Sequence, residues 1–198
     1  MNAREPGSTA DYLGAFRRVS GALPGQRLDW LRQVRAEAIG RFVQQGFPTQ
    51  RDEDWKYTNI AGIEKGRFNV LPAPCPEFLA STVNTHALPN SHLLVFVDGR
   101  LEPELCRLGR LPHGVLLSSL AYQLEQNSPG LEEALVVFHP ASAFTDLNLA
   151  FMADGAYIHL PPEAVVNAPI QLLCIATEAG LAIQPRNLVL AEAGSSAC

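Results

Sequence analysis

The residues whose types suggest chemistry most directly are three consecutive carboxylates, Asp52, Glu53 and Asp54, in the stretch FPTQRDEDWKYTNI. Closely placed carboxylates serve as general acids and bases in many hydrolytic enzymes. Here Arg51 and Lys56 flank the acids, and neighbouring cations keep carboxylates ionised, which is the wrong state for a general acid. The pattern is typical of a solvated, salt-linked loop. We therefore predict no catalytic residue in this stretch.

Other candidate sites for metal or covalent chemistry fail on spacing. His139, Asp146, Asp154 and His159 carry suitable ligand atoms, but their separations match no tetrahedral metal pattern. The four cysteines are widely scattered and contain no CxxC pair. The sequence also lacks the nucleophile elbow GxSxG and the phosphate-binding loops GxxxxGK[ST] and GxGxxG. We predict no catalytic residue, no metal ligand and no cofactor held by this chain alone.

Composition places the chain among ordinary globular proteins. It has 198 residues, of which 47% are hydrophobic and 18% charged, and a net charge of −5. The charge argues against nucleic acid as a partner. The N-terminus has no apolar core of a signal peptide, and no apolar run is long enough to span a membrane. We expect a cytoplasmic protein with reduced thiols and no membrane association.

The elements that position the carboxylate loop are predicted to be helical. Apolar residues between Leu28 and Phe42 recur at helical spacing, and Gly46 and Pro48 are typical of the end of such a helix. The loop is thus the exit from a helical hairpin. Further on, residues 77–83 predict a short helix, and LLVFV followed by Asp98-Gly99 predicts a β-hairpin near 93–105.

The second half of the chain is predicted to be rich in short strands. Residues 134–138 are apolar and β-rich, and residues 156–160, 170–176 and 188–191 alternate in the manner of strands. We place an internal boundary at 127–130, which gives a mainly helical domain over 1–130 and a β domain over 131–198. The strand spacing fits a sandwich, a barrel or a solenoid. The sequence stops just after a strand and turn with no capping element, so we expect a truncated chain.

Four ordered segments resemble one family of proteins. The segments are FPTQRDEDWKYT, LLVFVDGR, FTDLNLAFMADGAYIHLP with the following VVNAPIQL, and PRNLV at 185–189. Together they resemble the N-terminal portion of the SufB/SufD family of iron–sulfur cluster assembly scaffolds. The residues that carry the family motif, in packing or at a partner interface, are Phe47, Pro48, Arg51, Asp52, Glu53, Trp55, Lys56, Tyr57, Asn148, Asp154, Gly155, Pro169, Arg186 and Asn187.

The resemblance implies an α+β fold in which a helical N-terminal domain precedes the first coils of a right-handed parallel β-helix. It implies a non-catalytic scaffold subunit that acts with a sister subunit (SufB-like) and an ABC-type ATPase (SufC-like). An iron–sulfur cluster and ATP then belong to the assembled complex. The chain alone is expected to bind neither the ATPase nor a cluster, and an exposed solenoid end would permit a homodimer. The alternatives are a free-standing interaction adaptor and a β-solenoid enzyme.

Within the motif, two aromatics have an open role. Trp55 and Tyr57 either pack beneath the helical hairpin or anchor a partner, since Trp, Tyr and Arg dominate interface energetics. We expect packing, with the charges fixing the direction of the chain by salt links and hydrogen bonds. On that expectation Trp55→Ala costs about 3–5 kcal/mol, as a large core truncation does.

Overall fold

The chain is a mixture of helices and short strands, in agreement with the expected α+β class. A computed structural model describes residues 9–66, 68–70, 79–137 and 142–198. The α-helices are α1 (Thr9–Val19), α2 (Asp29–Gln45), α3 (Ala61–Glu64), α4 (Ala80–His86), α5 (Leu120–Glu125), α6 (Leu131–Val137) and α7 (Ala143–Phe151). The strands are β1 (His92–Val97), β2 (Arg100–Leu101), β3 (Leu116–Ser119), β4 (Ala156–Leu160), β5 (Val165–Val166), β6 (Ile170–Ile175), β7 (Leu188–Ala191) and β8 (Ser196–Ala197).

The helical part of the core is built on α2. Its buried side chains lie on one helical face, as the sequence pattern predicts. The helix ends where Gly46 takes a φ of 72°, a conformation that favours glycine, and the Gly46 N–H bonds to the Phe42 carbonyl at 2.9 Å. The main partner of α2 is α7, whose first turn is closed by a capping box between Ser142 and Thr145. The two helices therefore form one packed layer although about a hundred residues separate them.

The strands form two three-stranded sheets and one two-stranded sheet. Their orders are β2-β1-β6, β3-β4-β7 and β5-β8. The β1–β2 and β3–β4 pairs are antiparallel, and the β1–β6, β4–β7 and β5–β8 pairs are parallel. All six residues of β1 are buried because the strand is central in its sheet. The predicted hairpin near 93–105 is confirmed as β1 and β2, and Leu93 also bridges Arg107 beyond it.

One predicted strand is wrong. Residues 134–137 belong to the helix α6, and residue 138 lies outside the described part of the chain. The helix forms because Gly130 precedes it, two acidic residues occupy its first turn, and Leu131, Ala134 and Leu135 are buried at helical spacing. The short apolar run alone could not distinguish a buried helix from a strand. The helix predicted over 77–83 begins later, at Ala80, and residues 77–78 lie outside the description.

The predicted division at 127–130 stays a prediction. Strands from both sides of that point pair with each other: β1 with β6, and β3 with β4. The interior between these sheets is apolar and includes Leu94, Leu117, Ile158 and Val166. The polar side chains considered next lie where the helical layer meets these sheets.

Candidate functional site

A series of aromatic rings runs from the helical core to the surface. The buried ring of Phe42 contacts Phe47 edge-on, with 5.1 Å between centroids, and Phe47 contacts Phe144 at 5.8 Å. Phe144 in turn packs against Trp55 at 5.1 Å with a tilt of 39°. Edge-on and tilted pairs are the arrangements that ring quadrupoles favour. The helix exit is thus joined to the first turn of α7 through edge-on and tilted ring contacts, and Trp55 packs there as expected.

The loop that carries the three carboxylates is ordered by local hydrogen bonds. The Asp52 carboxylate accepts from the backbone N–H of Thr49 at 2.6 Å and from its hydroxyl at 3.2 Å. Glu53–Trp55 then form one turn of 3₁₀ helix. No ion pair joins the charges of residues 51–57, so the salt links predicted there are absent from this fully described loop. Hydrogen bonds, together with the ring contacts of Phe47 and Trp55, fix its course.

The expected packing of Tyr57 is wrong. Its side chain is 91% exposed, and its one ring contact is the Lys56 ammonium, 5.5 Å from the ring centroid. Trp55 is half-buried, with one side against Phe144. Tyr57 lies beyond the 3₁₀ turn of Glu53–Trp55, so the turn that places the Trp55 ring against Phe144 does not fix the direction of the Tyr57 ring. We therefore expect Trp55→Ala to cost less than a core truncation.

A second group of motif residues comes together between α7, β4 and the segment before β7. We call Asn148, Asp154, Gly155, Arg186 and Asn187 the polar junction. Its centre is Asp154, which is 6% exposed. Burial of a carboxylate is tolerated when donors surround it.

The Asp154 carboxylate accepts four hydrogen bonds from the chain. One oxygen accepts from the Ser119 hydroxyl at 2.7 Å and from the backbone N–H groups of Gly155 and Ala121 at 2.8 and 3.0 Å. The other accepts from the N–H of Leu101 at 2.9 Å. These donors come from the hairpin, from the β3–α5 turn and from the start of β4. Asp154 therefore holds three elements together.

The remaining junction residues fix the approach of the chain to β7. Arg186 N–H donates to the Asp154 carbonyl at 3.0 Å, and the Asn187 side-chain oxygen accepts from the Ala156 N–H at 2.8 Å. Asn148 donates to the Pro185 carbonyl at 2.9 Å, and its side-chain oxygen accepts from the Arg186 guanidinium at 3.2 Å.

The backbone of Arg186 passes directly over Gly155, where a Cβ would lie 2.5 Å from the Arg186 carbonyl carbon. Only glycine allows this approach. Burial lowers the pKa of the Arg186 guanidinium.

The structure brings the motif together in two places. The segment 47–57 lies at the α2 exit, and the polar junction joins residues 148–155 to residues 186–187. Pro169 belongs to neither place: its carbonyl accepts from the His92 N–H at 2.8 Å, at the start of the β1–β6 pair.

Two buried polar contacts were not predicted from the sequence. Arg41 and the fully buried Asp146 form an ion pair at 2.8 Å that joins α2 to α7. Asp146, one of the metal-ligand candidates, therefore has a structural partner. Arg35, 1% exposed, donates to the carbonyls of Pro24 and Met152 at 2.8 and 2.9 Å. Burial lowers the pKa of Arg35 to about 10, although the negative charge of Glu125 acts to raise it. The signal in the sequence is that Arg35 occupies a position on the apolar face of α2, with Leu31 and Ala38 one turn to either side.

Burial raises the pKa of Cys106, whose sulfur accepts from the Val95 N–H at 3.3 Å, and burial also raises the pKa of Cys174. In the part of the chain that the structure describes, no three His, Cys, Asp or Glu side chains are grouped so as to hold a metal ion. His139, one of the candidates considered above, lies outside that part, and His159 pairs with Glu192 at 2.7 Å.

Residues 9–66, 68–70, 79–137 and 142–198 contain no helix that is both long and apolar enough to cross a membrane.

Comparison with known proteins identifies the family. Residues 7–172 match the family model described as the SufBD protein N-terminal region. Over 169 residues the chain is 30% identical to an iron–sulfur cluster assembly SufBD family protein of Synechocystis sp.. That match covers 81% of this chain and 36% of the relative, so the chain spans little more than a third of the relative's length. The chain belongs to the SufB/SufD family and corresponds to its N-terminal portion.

Proposed function

We propose that this chain is part of a non-catalytic scaffold subunit for iron–sulfur cluster assembly. The observation that carries the proposal is the family match over residues 7–172, which takes in both the loop at 47–57 and most of the polar junction. The name of the Synechocystis relative places that protein in iron–sulfur cluster assembly. The scaffold role fits buried polar side chains that join separate elements, as Asp154 does with its four hydrogen bonds.

We further propose that the strands are the first coils of a right-handed parallel β-helix. Support comes from the registers of two parallel pairs. Tyr157 pairs with Leu188, and Val165 with Ser196, so both pairs join residues 31 positions apart. A constant offset in two different sheets is what successive coils of a solenoid require. Crossovers between parallel strands are right-handed in nearly all proteins.

The proposed partners are a SufB-like sister subunit and a SufC-like ABC-type ATPase, in the cytoplasm. Within that assembly the cluster is cargo and ATP belongs to the ATPase. Two alternative functions stay predictions: a free-standing adaptor and a β-solenoid enzyme. The homodimer also stays a prediction, as does the expectation that the chain alone binds neither the ATPase nor a cluster.

The test is deletion of the gene in its source organism. We expect the activity of an iron–sulfur enzyme such as aconitase to fall, while that of a dehydrogenase without a cluster stays unchanged. A tagged copy of the gene product should also retrieve an ABC-type ATPase and a second family member. Unchanged aconitase activity, together with a tagged protein that retrieves neither subunit, would overturn the proposal.

A further inference from the structure

A groove lies beside the carboxylate loop at the exit of α2. Its volume is about 440 Å³, which is within the usual range of about 300–1,000 Å³ for binding pockets. The end of α2, the loop at 47–55 and the first residues of α7 line it. Phe47, Pro48 and Trp55 supply its apolar wall, and Asp52, Glu53 and Asp54 supply its acidic rim.

The charge of the groove has one sign. No lysine or arginine is among its described lining residues, because the Lys56 ammonium lies over the Tyr57 ring instead. Of the three rim carboxylates, Asp52 is engaged by Thr49 within the loop. Glu53 and Asp54 are exposed and take part in no ion pair. The rim thus offers two carboxylates to a cation, and none of the described residues supplies one.

The aromatic wall suits the same kind of ligand. Trp55 is supported on one side by Phe144 and remains partly exposed where it lines the groove. A guanidinium or ammonium group over an indole face is attracted by the ring quadrupole, and tryptophan is the best ring for this contact. Since Asp52 and the 3₁₀ turn already order the loop, little entropy is lost when a side chain enters.

We propose that this groove receives an arginine side chain of a protein partner. The aliphatic stem packs on Phe47 and Trp55, and the guanidinium lies against the indole face and donates to Glu53 and Asp54. Arginine fits better than lysine because its planar fork both stacks on a ring and donates to carboxylates in pairs. The inference rests on the proposed function only in that the partner is taken to be another subunit of the assembly.

The test is an NMR titration of the 198-residue chain with N-acetyl-arginine-methylamide. The chain contains two tryptophans, so Trp30→Phe assigns the indole N–H signal of Trp55. We expect this signal to move in a saturable, salt-sensitive way, and the neutral citrulline analogue to leave it in place. The double variant E53Q/D54N should weaken binding about tenfold or more. The matched control E132Q/E133Q removes two adjacent exposed carboxylates from α6 and should leave binding unchanged.

Three results would overturn the inference: an equal response to citrulline, an unchanged affinity in E53Q/D54N, or an equal loss in E132Q/E133Q. A stronger response to the lysine analogue would overturn the assignment of arginine. The titration needs no partner subunit, so its failure is separate from failure of the proposed function. If the gene deletion leaves aconitase activity intact and the tagged protein retrieves neither subunit while the probe still binds, the groove stands and the scaffold role falls.

Discussion

Gly155→Ala probes the closest approach within the polar junction. The added Cβ would lie 2.5 Å from the Arg186 carbonyl carbon and 2.9 Å from its nitrogen, whereas carbon contacts are optimal at about 3.5–4.0 Å. The atoms in the way are backbone, so relief requires the two segments to separate. Separation strains two hydrogen bonds, from Arg186 to the Asp154 carbonyl and from Ala156 to Asn187. Overpacking costs about 1–3 kcal/mol and each lost bond about 1 kcal/mol, which together give about 3–5 kcal/mol.

The assay is urea unfolding followed by far-ultraviolet circular dichroism. A loss of about 3–5 kcal/mol is a large part of the usual stability of about 5–15 kcal/mol, so the midpoint should fall clearly while the slope m stays the same. Gly40→Ala is the control, because its Cβ would meet no atom within 4 Å in the helix α2. We expect that control to raise stability by about 0.5–1 kcal/mol. If Gly155→Ala lowered the unfolding free energy by less than about 1 kcal/mol, the backbone contact could not be as rigid as argued.

Asp154→Asn replaces an acceptor of four hydrogen bonds by an amide that can accept on one atom only. The free energy of unfolding should therefore fall by about 2–4 kcal/mol in the same assay. An unchanged urea midpoint would contradict the role of the polar junction. Trp55→Ala should cost about 1–2 kcal/mol, and Tyr57→Ala less than about 0.5 kcal/mol because that ring is exposed; equal losses would contradict the contrast between them. Burial raises the pKa of both the Cys106 and the Cys174 thiol, so little thiolate forms near neutral pH and both labelling rates should rise as pH increases. Cys174 is exposed whereas Cys106 is half-buried, so iodoacetamide should label Cys106 more slowly. Peptide mass spectrometry measures both labelling rates, and faster labelling of Cys106 would refute the expected order.

Periodicity was sufficient for the elements whose burial is regular. Helix α2 and strand β1 each have a continuous apolar face or run with a turn signal at its end, and both form where predicted. The strand predicted from the apolar run that begins at Ala134 is wrong because so short a run does not reveal whether its period is that of a helix or of a strand. Its helical state depends on which neighbours bury Leu131 and Leu135, and that is a tertiary property.

The segment 47–57 and the polar junction also differ in how far the sequence predicts them. Family resemblance picked out Asp154, Gly155, Arg186 and Asn187, but no spacing in the sequence indicates that they meet. Their contact depends on the β4–β7 register, which places residues 31 positions apart side by side. Tyr57 was misplaced because its type suggests packing, whereas it follows the end of the 3₁₀ turn and its ring is exposed.

The pairing of β1 with β6 affects how the protein must be made. His92 opposite Ile170 means that a fully buried, strongly apolar strand waits for a partner encoded 78 residues later. At translation rates of about 5–20 residues per second, that interval lasts roughly 4–16 s. During that time one edge of β1 is covered only by the nascent chain or by a chaperone at the ribosome. Synthesis rate and chaperone supply should therefore set the soluble yield of this protein more strongly than its final stability does.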